Sequence, residues 1–200
     1  MHLLALPLVY DIFQDAVAAN AFRRWFLTEF VRTDSTAVVL DLGCGTGVAA
    51  SHVKYGALVG VDLSAQYIAS ARSRGLPRTE FVMGDCIDEI RRRPSGSFDC
   101  VICGGLFHHL TALQCEELVV ESARILKPGG ALSCFEPVLD ASTPALTQRV
   151  MKLDRGKNLR SLDGWKELFA KGFEQVHIDV RQDCFRIPYD LVLVRAVKNV

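Results

Sequence analysis

The sequence has no excess charge of either sign, because 23 lysines and arginines are balanced by 23 aspartates and glutamates. This balance argues against binding of nucleic acid through a broad basic surface, and we expect no nucleic-acid partner. It also has no apolar run near the ~20 residues that a membrane helix needs, so we expect no membrane span. The apolar start, residues 1–10, is short and has no lysine or arginine before it, which makes it a poor signal peptide. These absences favour a cytoplasmic globular protein.

Internal repeats, low-complexity stretches and long linkers are also lacking, and 200 residues suit one domain. The seven cysteines are odd in number and scattered, so we expect reduced thiols instead of disulfides. Cys100 and Cys103 form a CxxC within an apolar run. Residues three apart on a strand point to opposite faces, which favours two buried cysteines over a metal or redox pair. We therefore expect no metal site.

Short β-branched runs alternate with helical patterns along most of the chain. The predicted parallel strands are residues 38–42, 57–62, 80–85, 98–103 and 130–135, with helices over 64–74 and 111–126 and further helices at 10–32 and 162–171. Two alternating segments, 175–183 and 189–198, lie too close together for a parallel crossover, so they should pair as an antiparallel hairpin. The pattern predicts an α/β fold: a Rossmann-like, doubly wound seven-stranded sheet, mostly parallel with a C-terminal antiparallel hairpin, preceded by N-terminal helices.

A glycine-rich turn, Asp41-Leu-Gly-Cys-Gly-Thr-Gly47, follows the first strand directly and opens a helix. Its glycines allow a tight turn and let a ligand touch the backbone, and a helix N-terminus attracts anionic groups. Val48 stands where the dinucleotide fingerprint needs glycine or alanine. The Asp41 carboxylate would repel a pyrophosphate but suits a cation, such as an ammonium or a sulfonium. The sequence has no Gly-Lys-Ser/Thr, which excludes a nucleoside-triphosphate P-loop.

Acidic residues also end the next two strands. Asp62 lies at the end of the second strand, where a carboxylate can take both hydroxyls of a ribose. Asp85 closes the third strand, where it can accept from the exocyclic amine of adenine while the next backbone N–H meets a ring nitrogen. Together with Asp41, these residues describe a site for a nucleoside that carries a positively charged amino-acid arm, although each aspartate alone is also a common turn residue.

The motifs, taken in order, resemble those of the class I S-adenosylmethionine-dependent methyltransferases. They are Asp41–Gly47, Val61–Ser64, Gly84–Cys86, Phe98–Cys103 with His108–Leu110, and Leu126–Gly130. The resemblance covers about residues 36–137 and is nearest to small, uncapped bacterial-type enzymes that act on small molecules. The segments Tyr10–Gln14, Asp154–Gly156 and Ile187–Tyr189 look like one group of these enzymes.

The resemblance implies S-adenosylmethionine as cofactor, S-adenosylhomocysteine as product and one methyltransferase domain over residues 1–200. Within it, residues 1–35 would form a helical cap, 36–137 the cofactor-binding core, and 138–200 the substrate-side helices and hairpin. The glycine turn would wrap the methionine part, and Tyr10 would close over the cofactor. The implied cofactor-binding residues are Tyr10, Asp41, Gly43, Cys44, Gly45, Gly47, Asp62, Leu63, Asp85, Cys86, Gly104 and Gly105.

The resemblance leaves the catalytic residue open. His108 and His109 follow the fourth strand, and an imidazole can act as a general base near neutral pH. His109 is preferred on the resemblance, the alternative being a structural histidine. Glu136, at the end of the fifth strand, is a second candidate for the pocket wall or a base. No large insertion follows that strand, which favours a small-molecule acceptor with an oxygen, carbon, sulfur or nitrogen nucleophile.

Two alternative functions, and the roles of two groups of arginines, stay open from the sequence. A nicotinamide-dependent reductase is disfavoured by Val48 and Asp41, and a non-catalytic S-adenosylmethionine-binding partner or sensor would carry the same motifs. The basic run Arg91–Arg93 is either a solvated helix end or a site for RNA or an acidic substrate. Arg155 and Arg186 either pair with an anionic substrate or are surface charges. The sequence does not determine the oligomeric state.

Overall fold

A seven-stranded sheet forms the centre of the protein, in a computed structural model that describes residues 19–139, 143–144, 147–148, 158–182, 184 and 189–199. The strands are β1 (Val38–Leu42), β2 (Ala57–Asp62), β3 (Thr79–Met83), β4 (Phe98–Gly104), β5 (Leu126–Pro137), β6 (Gln175–Arg181) and β7 (Leu191–Val197). Their order in the sheet is β3-β2-β1-β4-β5-β7-β6. Strands β1 to β5 pair in parallel, so their carboxyl ends meet at one edge of the sheet. The predicted fold class is confirmed.

The C-terminal strands form the predicted antiparallel hairpin, and β7 lies between β5 and β6. Because β7 is antiparallel to both neighbours, β6 runs in the same direction as β1 to β5. The predicted start of β5 at Gly130 is wrong. The strand begins at Leu126, which pairs with Phe98 before an irregularity in the register, and Gly129 adopts a φ of 78° within it. Pro-Gly-Gly is typical of a turn, but here it bends a strand without ending it.

The helices on the two faces are α1 (Ala19–Trp25), α2 (Ala65–Ser73), α3 (Cys86–Arg91), α4 (Ala112–Ile125) and α5 (Leu162–Phe169), and α1 continues into a π-helical turn over Phe26–Phe30. Side chains before the helices satisfy their free N–H groups. The Ser64 hydroxyl accepts from the Tyr67 N–H at 3.3 Å, and Thr111 forms a capping box with Gln114. Among the described helices, none is both long and apolar enough to span a bilayer.

The sheet separates two apolar layers. One packs under α1 and α2 and includes Val39, and the other packs under α3, α4 and α5 and includes Leu40. Because side chains alternate along a strand, Asp41 shares the face of Val39, under the N-terminal helix. Cys100 and Cys103 are buried in different layers, as the sequence predicted, and all seven cysteines are buried and unbridged.

Candidate active site

A cavity of about 450 Å³ lies at the carboxyl edge of the sheet, where β1, β2 and β4 end. Ten of the twelve residues predicted to bind the cofactor line this cavity. They are Asp41, Gly43, Cys44, Gly45, Asp62, Leu63, Asp85, Cys86, Gly104 and Gly105. Of the other two, Tyr10 lies outside the described residues, and Gly47 is close to the cavity without lining it. The parallel strands thus bring side chains that are far apart in sequence to one place.

The glycine turn after β1 is held by backbone hydrogen bonds. The N–H groups of Gly43 and Cys44 donate to the Val61 carbonyl at 2.8 and 3.0 Å, which ties the turn to β2. Gly45 has a φ of 53°, and a Cβ added there would meet no atom within 4 Å, so its backbone is open to a ligand. Gly47 has a φ of 77°, but a Cβ there would lie 2.9 Å from the Ala71 side chain. Gly47 therefore serves the packing of the turn on α2.

The Asp41 carboxyl lines the cavity and is only 4% exposed. Among the described residues, none donates a hydrogen bond to it in the structure. Burial, and secondarily the neighbouring charge of Asp62, raises the pKa of Asp41 to about 7, against the opposing charge of Arg23. Desolvation disfavours an isolated carboxylate unless a cation or donors stabilise it. Asp41 is therefore placed to receive a cationic ligand.

The Asp62 carboxylate connects the end of β2 to both flanking loops. Its Oδ2 accepts from the Gly45 N–H at 2.9 Å, and its Oδ1 accepts from the Ser64 N–H at 2.8 Å. Each carboxylate oxygen has a second lone pair, so both oxygens retain acceptor capacity toward the cavity. Leu63, the next residue, lies at the rim and is 73% exposed, which leaves an apolar surface for a flat ring.

Asp85 follows β3 and caps α3, because its Oδ1 accepts from the N–H groups of Ile87 and Asp88 at 2.8 and 3.3 Å. Asp85 thus caps the helix through Oδ1, as aspartates at turns commonly do. Its Oδ2 stays available to a ligand. Cys86 is buried beside it, and burial raises the pKa of its thiol to about 12. Burial also raises the pKa of the Cys44 thiol in the glycine turn. Neither cysteine is a thiolate nucleophile at neutral pH.

Glu136 holds the loop after β4, which forms another wall of the cavity. Its fully buried carboxylate accepts from the N–H groups of Leu106 (2.6 Å), Phe107 (2.8 Å) and His108 (3.3 Å). The Nδ1 atom of His108 is a further partner at 2.7 Å. Glu136 and His108 do not line the cavity, contrary to the expectation of a pocket wall at Glu136, because this network occupies them behind the loop. Their catalytic roles stay predictions.

His109 is the histidine that the same loop presents to the cavity. Its side chain is exposed, and its ring lies 4.1 Å, centroid to centroid, from the ring of His108. The preference for His109 over His108 thus agrees with their positions, while its role in catalysis is untested.

We expect Glu136→Ala to destabilise the protein by about 3–5 kcal/mol, because it leaves buried N–H groups without an acceptor. Glu136→Gln should lose less stability than Glu136→Ala, since its remaining oxygen can still accept from the N–H groups of Leu106 and Phe107. Urea unfolding measures both variants. Glu117→Gln is the matched control, because it removes only a surface pair with Arg91 and should stay within about 0.5 kcal/mol. A loss at Glu136→Ala no larger than the control's would contradict the anchoring role.

The N-terminal helix supplies cavity residues that sequence reasoning missed. Arg23, Phe26 and Leu27 line the cavity from α1 and the turn that follows it. Phe26 packs edge-on against Phe135 at 5.0 Å between ring centroids, and Phe135 also lines the cavity. The sequence predicted helices over residues 10–32 but did not show which part of the sheet they cover. Arg155, Arg186 and the segment 154–156 lie outside the described residues, as does Ile187.

The basic run Arg91–Arg93 is neutralised at the surface. Arg91 pairs with Asp88 and Glu117, and the other two arginines pair with Glu89. This arrangement agrees with a solvated helix end at α3 and leaves the run without free cations for an acidic ligand.

Comparisons with known proteins agree with this site. Residues 39–130 match the family model described as Methyltransferase domain. Ribosomal RNA large subunit methyltransferase G of Aeromonas hydrophila is 33% identical over 57% of this chain and 35% of its own length. Trans-aconitate 2-methyltransferase of Deinococcus radiodurans is 33% identical over 66% of this chain and 48% of its own length. The chain thus spans about a third to a half of the length of these curated relatives.

A solved structure shows the same fold. Phosphoethanolamine N-methyltransferase 2 of Haemonchus contortus, in complex with phosphomonomethylethanolamine and S-adenosylhomocysteine, matches with a TM-score of 0.73 at 18% identity. The match covers 89% of this chain and 52% of that one.

A parallel sheet with a glycine turn after β1 and acidic residues after successive strands is typical of Rossmann-like domains that bind nucleosides. More narrowly, residues 39–130 match the model of a methyltransferase domain, which agrees with the resemblance carried by the motifs.

Proposed function

We propose that the protein is an S-adenosylmethionine-dependent methyltransferase that acts on a small-molecule acceptor. The observation that carries this proposal is Asp41, a buried carboxyl that faces the cavity and accepts no hydrogen bond from any described residue. An ammonium ligand would remove the cost of ionising this carboxyl in a dry site. A pyrophosphate would add to that cost, which disfavours the nicotinamide cofactors of a reductase.

The residues around the cavity fit the parts of S-adenosylmethionine in turn. Asp41 would hold the ammonium, and the open backbone at Gly45 would lie along the methionine arm. Asp62 has acceptors for the two ribose hydroxyls, and Leu63 offers a surface for adenine. Oδ2 of Asp85 would accept from the exocyclic amine. Arg23 lies close enough for its positive charge to lower the pKa of Asp41. It is our candidate partner for the carboxylate of the amino-acid arm.

S-adenosylmethionine, when bound, would supply an electrophilic methyl group on a positively charged sulfur. The chain would supply alignment, since a nucleophile held in line with the carbon–sulfur bond gains most of its rate from proximity. His109 lines the cavity and would accept the proton that an O–H or N–H acceptor loses. Glu136 and His108 would hold the loop that positions His109.

We expect His109→Ala to slow methyl transfer by about 10²-fold or more for an acceptor that must lose a proton. The affinity for S-adenosylhomocysteine should stay within about twofold, because no predicted cofactor contact is removed. Calorimetry measures the affinity, and single-turnover assays measure the transfer. His52→Ala, outside the cavity, is the control. An equal loss of binding and transfer in His109→Ala would mean a structural role.

Asp41 makes cofactor binding dependent on pH. With a pKa of about 7 the carboxyl is mostly protonated at pH 6 and ionised at pH 8. An ammonium ligand needs the ionised form, so we expect S-adenosylhomocysteine to bind about tenfold more tightly at pH 8 than at pH 6. Asp41→Asn should bind weakly at both pH values. Calorimetry at the two pH values checks this, and an unchanged ratio in Asp41→Asn would show that another group titrates.

Raising the pH should strengthen cofactor binding but lower the stability of the ligand-free protein. The folded-state pKa of Asp41 is raised above its ordinary value of 3.8. The stabilisation from the protonated carboxyl is therefore fully present below pH 3.8 and is lost as the pH rises through 7.

Two features support a small acceptor. The cavity has a volume of about 450 Å³, and a bound cofactor would leave limited room in it for an acceptor. The described cavity residues that follow Gly105 in the sequence are largely apolar and include Leu106, Leu110 and Phe135. Trans-aconitate 2-methyltransferase, among the relatives, is named for such an acceptor.

An RNA acceptor is the second candidate, because the relatives also include ribosomal RNA and tRNA methyltransferases. Three exposed cations of the described surface, Arg24, Lys54 and Arg74, have no carboxylate partner among the described residues and would suit a phosphate backbone. Labelled S-adenosylmethionine, offered with a panel of small acids and alcohols and separately with total RNA, distinguishes the two. Label in the small molecules supports our proposal, and label in RNA alone overturns it. Cofactor binding without transfer to either would favour a non-catalytic binding partner.

A further inference from the structure

A row of polar side chains crosses the C-terminal half of the sheet, away from the cofactor cavity. Arg195 is the one charged residue of β7, whose other residues are leucine, valine and alanine. It pairs in register with Ser133 on β5 and with His177 on β6. Residues directly opposite each other in antiparallel strands point to the same face. The three side chains therefore lie side by side on one face, and none of them is acidic.

Arg195 lacks a counterion in the part of the chain that the structure describes. Its guanidinium makes no hydrogen bond or ion pair there, and its Nε atom is buried without a partner. The Ser133 hydroxyl beside it is likewise buried without a partner. Arg195 is partly buried, and a buried Nε and a buried hydroxyl that make no hydrogen bond each cost free energy, more than a leucine at the same place would. This row is therefore not explained by packing.

Arg195 faces a cleft of about 360 Å³ at the amino edge of the sheet, opposite the cofactor cavity. Arg32, Asp34 and Asp99 also line this cleft. Both acids are already engaged. Asp99 accepts from the Val38 N–H at 2.8 Å and pairs with Lys127 at 2.8 Å, and Asp34 accepts from the N–H and hydroxyl of Thr36 at 2.7 and 2.6 Å. Neither forms an ion pair with Arg195.

We propose that this cleft binds a small oxyanion, the phosphate or carboxylate group of a metabolite, through the Arg195 guanidinium. The planar fork of N–H donors matches the oxygens of either group. Arg32 adds a second positive charge at the cleft, and Lys127 balances Asp99. Because the cleft and the cofactor cavity lie at opposite edges of the sheet, the two ligands can be bound at once. Bound anion would stabilise the folded protein by mass action.

The test is calorimetric titration with inorganic phosphate and, separately, with acetate. We expect at least one of them to bind the wild-type protein at millimolar concentration and to bind Arg195→Met at least about tenfold more weakly. Arg24→Met, which removes an exposed arginine outside the cleft, should bind as the wild type does. Tighter binding of phosphate would identify a phosphate group as the natural ligand, and tighter binding of acetate a carboxylate.

Two results would overturn the proposal. One is that neither anion binds the wild-type protein at millimolar concentration, which would mean that only water fills the cleft. The other is that Arg195→Met binds as tightly as the wild type. Far-UV circular dichroism establishes that the variant is folded. If it is not, Arg195→Lys keeps the charge but loses the fork, and equal affinity in that variant for both anions would overturn the role of the guanidinium.

Discussion

Gly47→Ala is expected to destabilise the protein by about 2–5 kcal/mol, a large share of the stability of an ordinary domain. Two causes act together. The φ of 77° is strained for any residue with a Cβ, and that Cβ would lie 2.9 Å from the Ala71 side chain and 3.1 Å from the Phe81 ring. Urea or thermal unfolding measures the effect.

Two other glycines of the chain separate these causes. Gly75→Ala places a Cβ at a φ of 60° with no atom within 4 Å, so it should cost only the backbone strain, about 1–2 kcal/mol. Gly45→Ala should cost about the same in stability. Its methyl group, however, enters the cavity, so cofactor affinity should fall by tenfold or more. Equal stability of the Gly47 and Gly75 variants would contradict the packing role assigned to Gly47.

Asp62→Ala is expected to weaken binding of S-adenosylhomocysteine by about 100-fold, or about 2.7 kcal/mol. The carboxylate would accept from the ribose hydroxyls, and it also holds the Gly45 and Ser64 N–H groups on either side of the site. Its removal therefore takes away an acceptor and loosens the turn that faces the ligand.

Glu80→Ala is the matched control for Asp62→Ala, because Glu80 is an exposed acid on the neighbouring strand outside the cavity. It should leave the affinity unchanged. Calorimetry at pH 8 measures the dissociation constant of S-adenosylhomocysteine for each variant. Unfolding curves separate a loss of affinity from a loss of folded protein. An Asp62→Ala affinity within twofold of wild type would mean that the cofactor does not contact the end of β2.

Local patterns predicted most of the fold. The β-branched runs at Val38 and Ala57 form β1 and β2 with the expected bounds, and Ser64 and Thr111 cap the helices they were expected to begin. The position of β7 between β5 and β6 was not predictable, because a short loop shows that two strands pair but not which of them meets the rest of the sheet. Tertiary packing decides that.

The candidate site, like the fold, was predictable only in its local features. The glycine turn and the acidic strand ends were visible because each is local in sequence, and parallel strands necessarily bring their ends together. The pairing of Glu136 with His108 was not visible, since it joins β5 to the loop after β4 across 28 residues. Arg23 was also missed. Phe22 and Phe26 of α1 and the turn after it pack on Phe135, and this contact between distant parts of the sequence helps to place α1 on the sheet.

The central claim is that the cavity at the carboxyl edge of β1 and β2 binds S-adenosylmethionine. The most direct measurement is calorimetric titration of the purified protein at pH 8 with S-adenosylmethionine, S-adenosylhomocysteine and NADH in turn. We predict that the first two bind at micromolar concentration, that Asp41→Asn weakens both, and that NADH does not bind. Binding of NADH alone, or no binding of the first two, would contradict the claim.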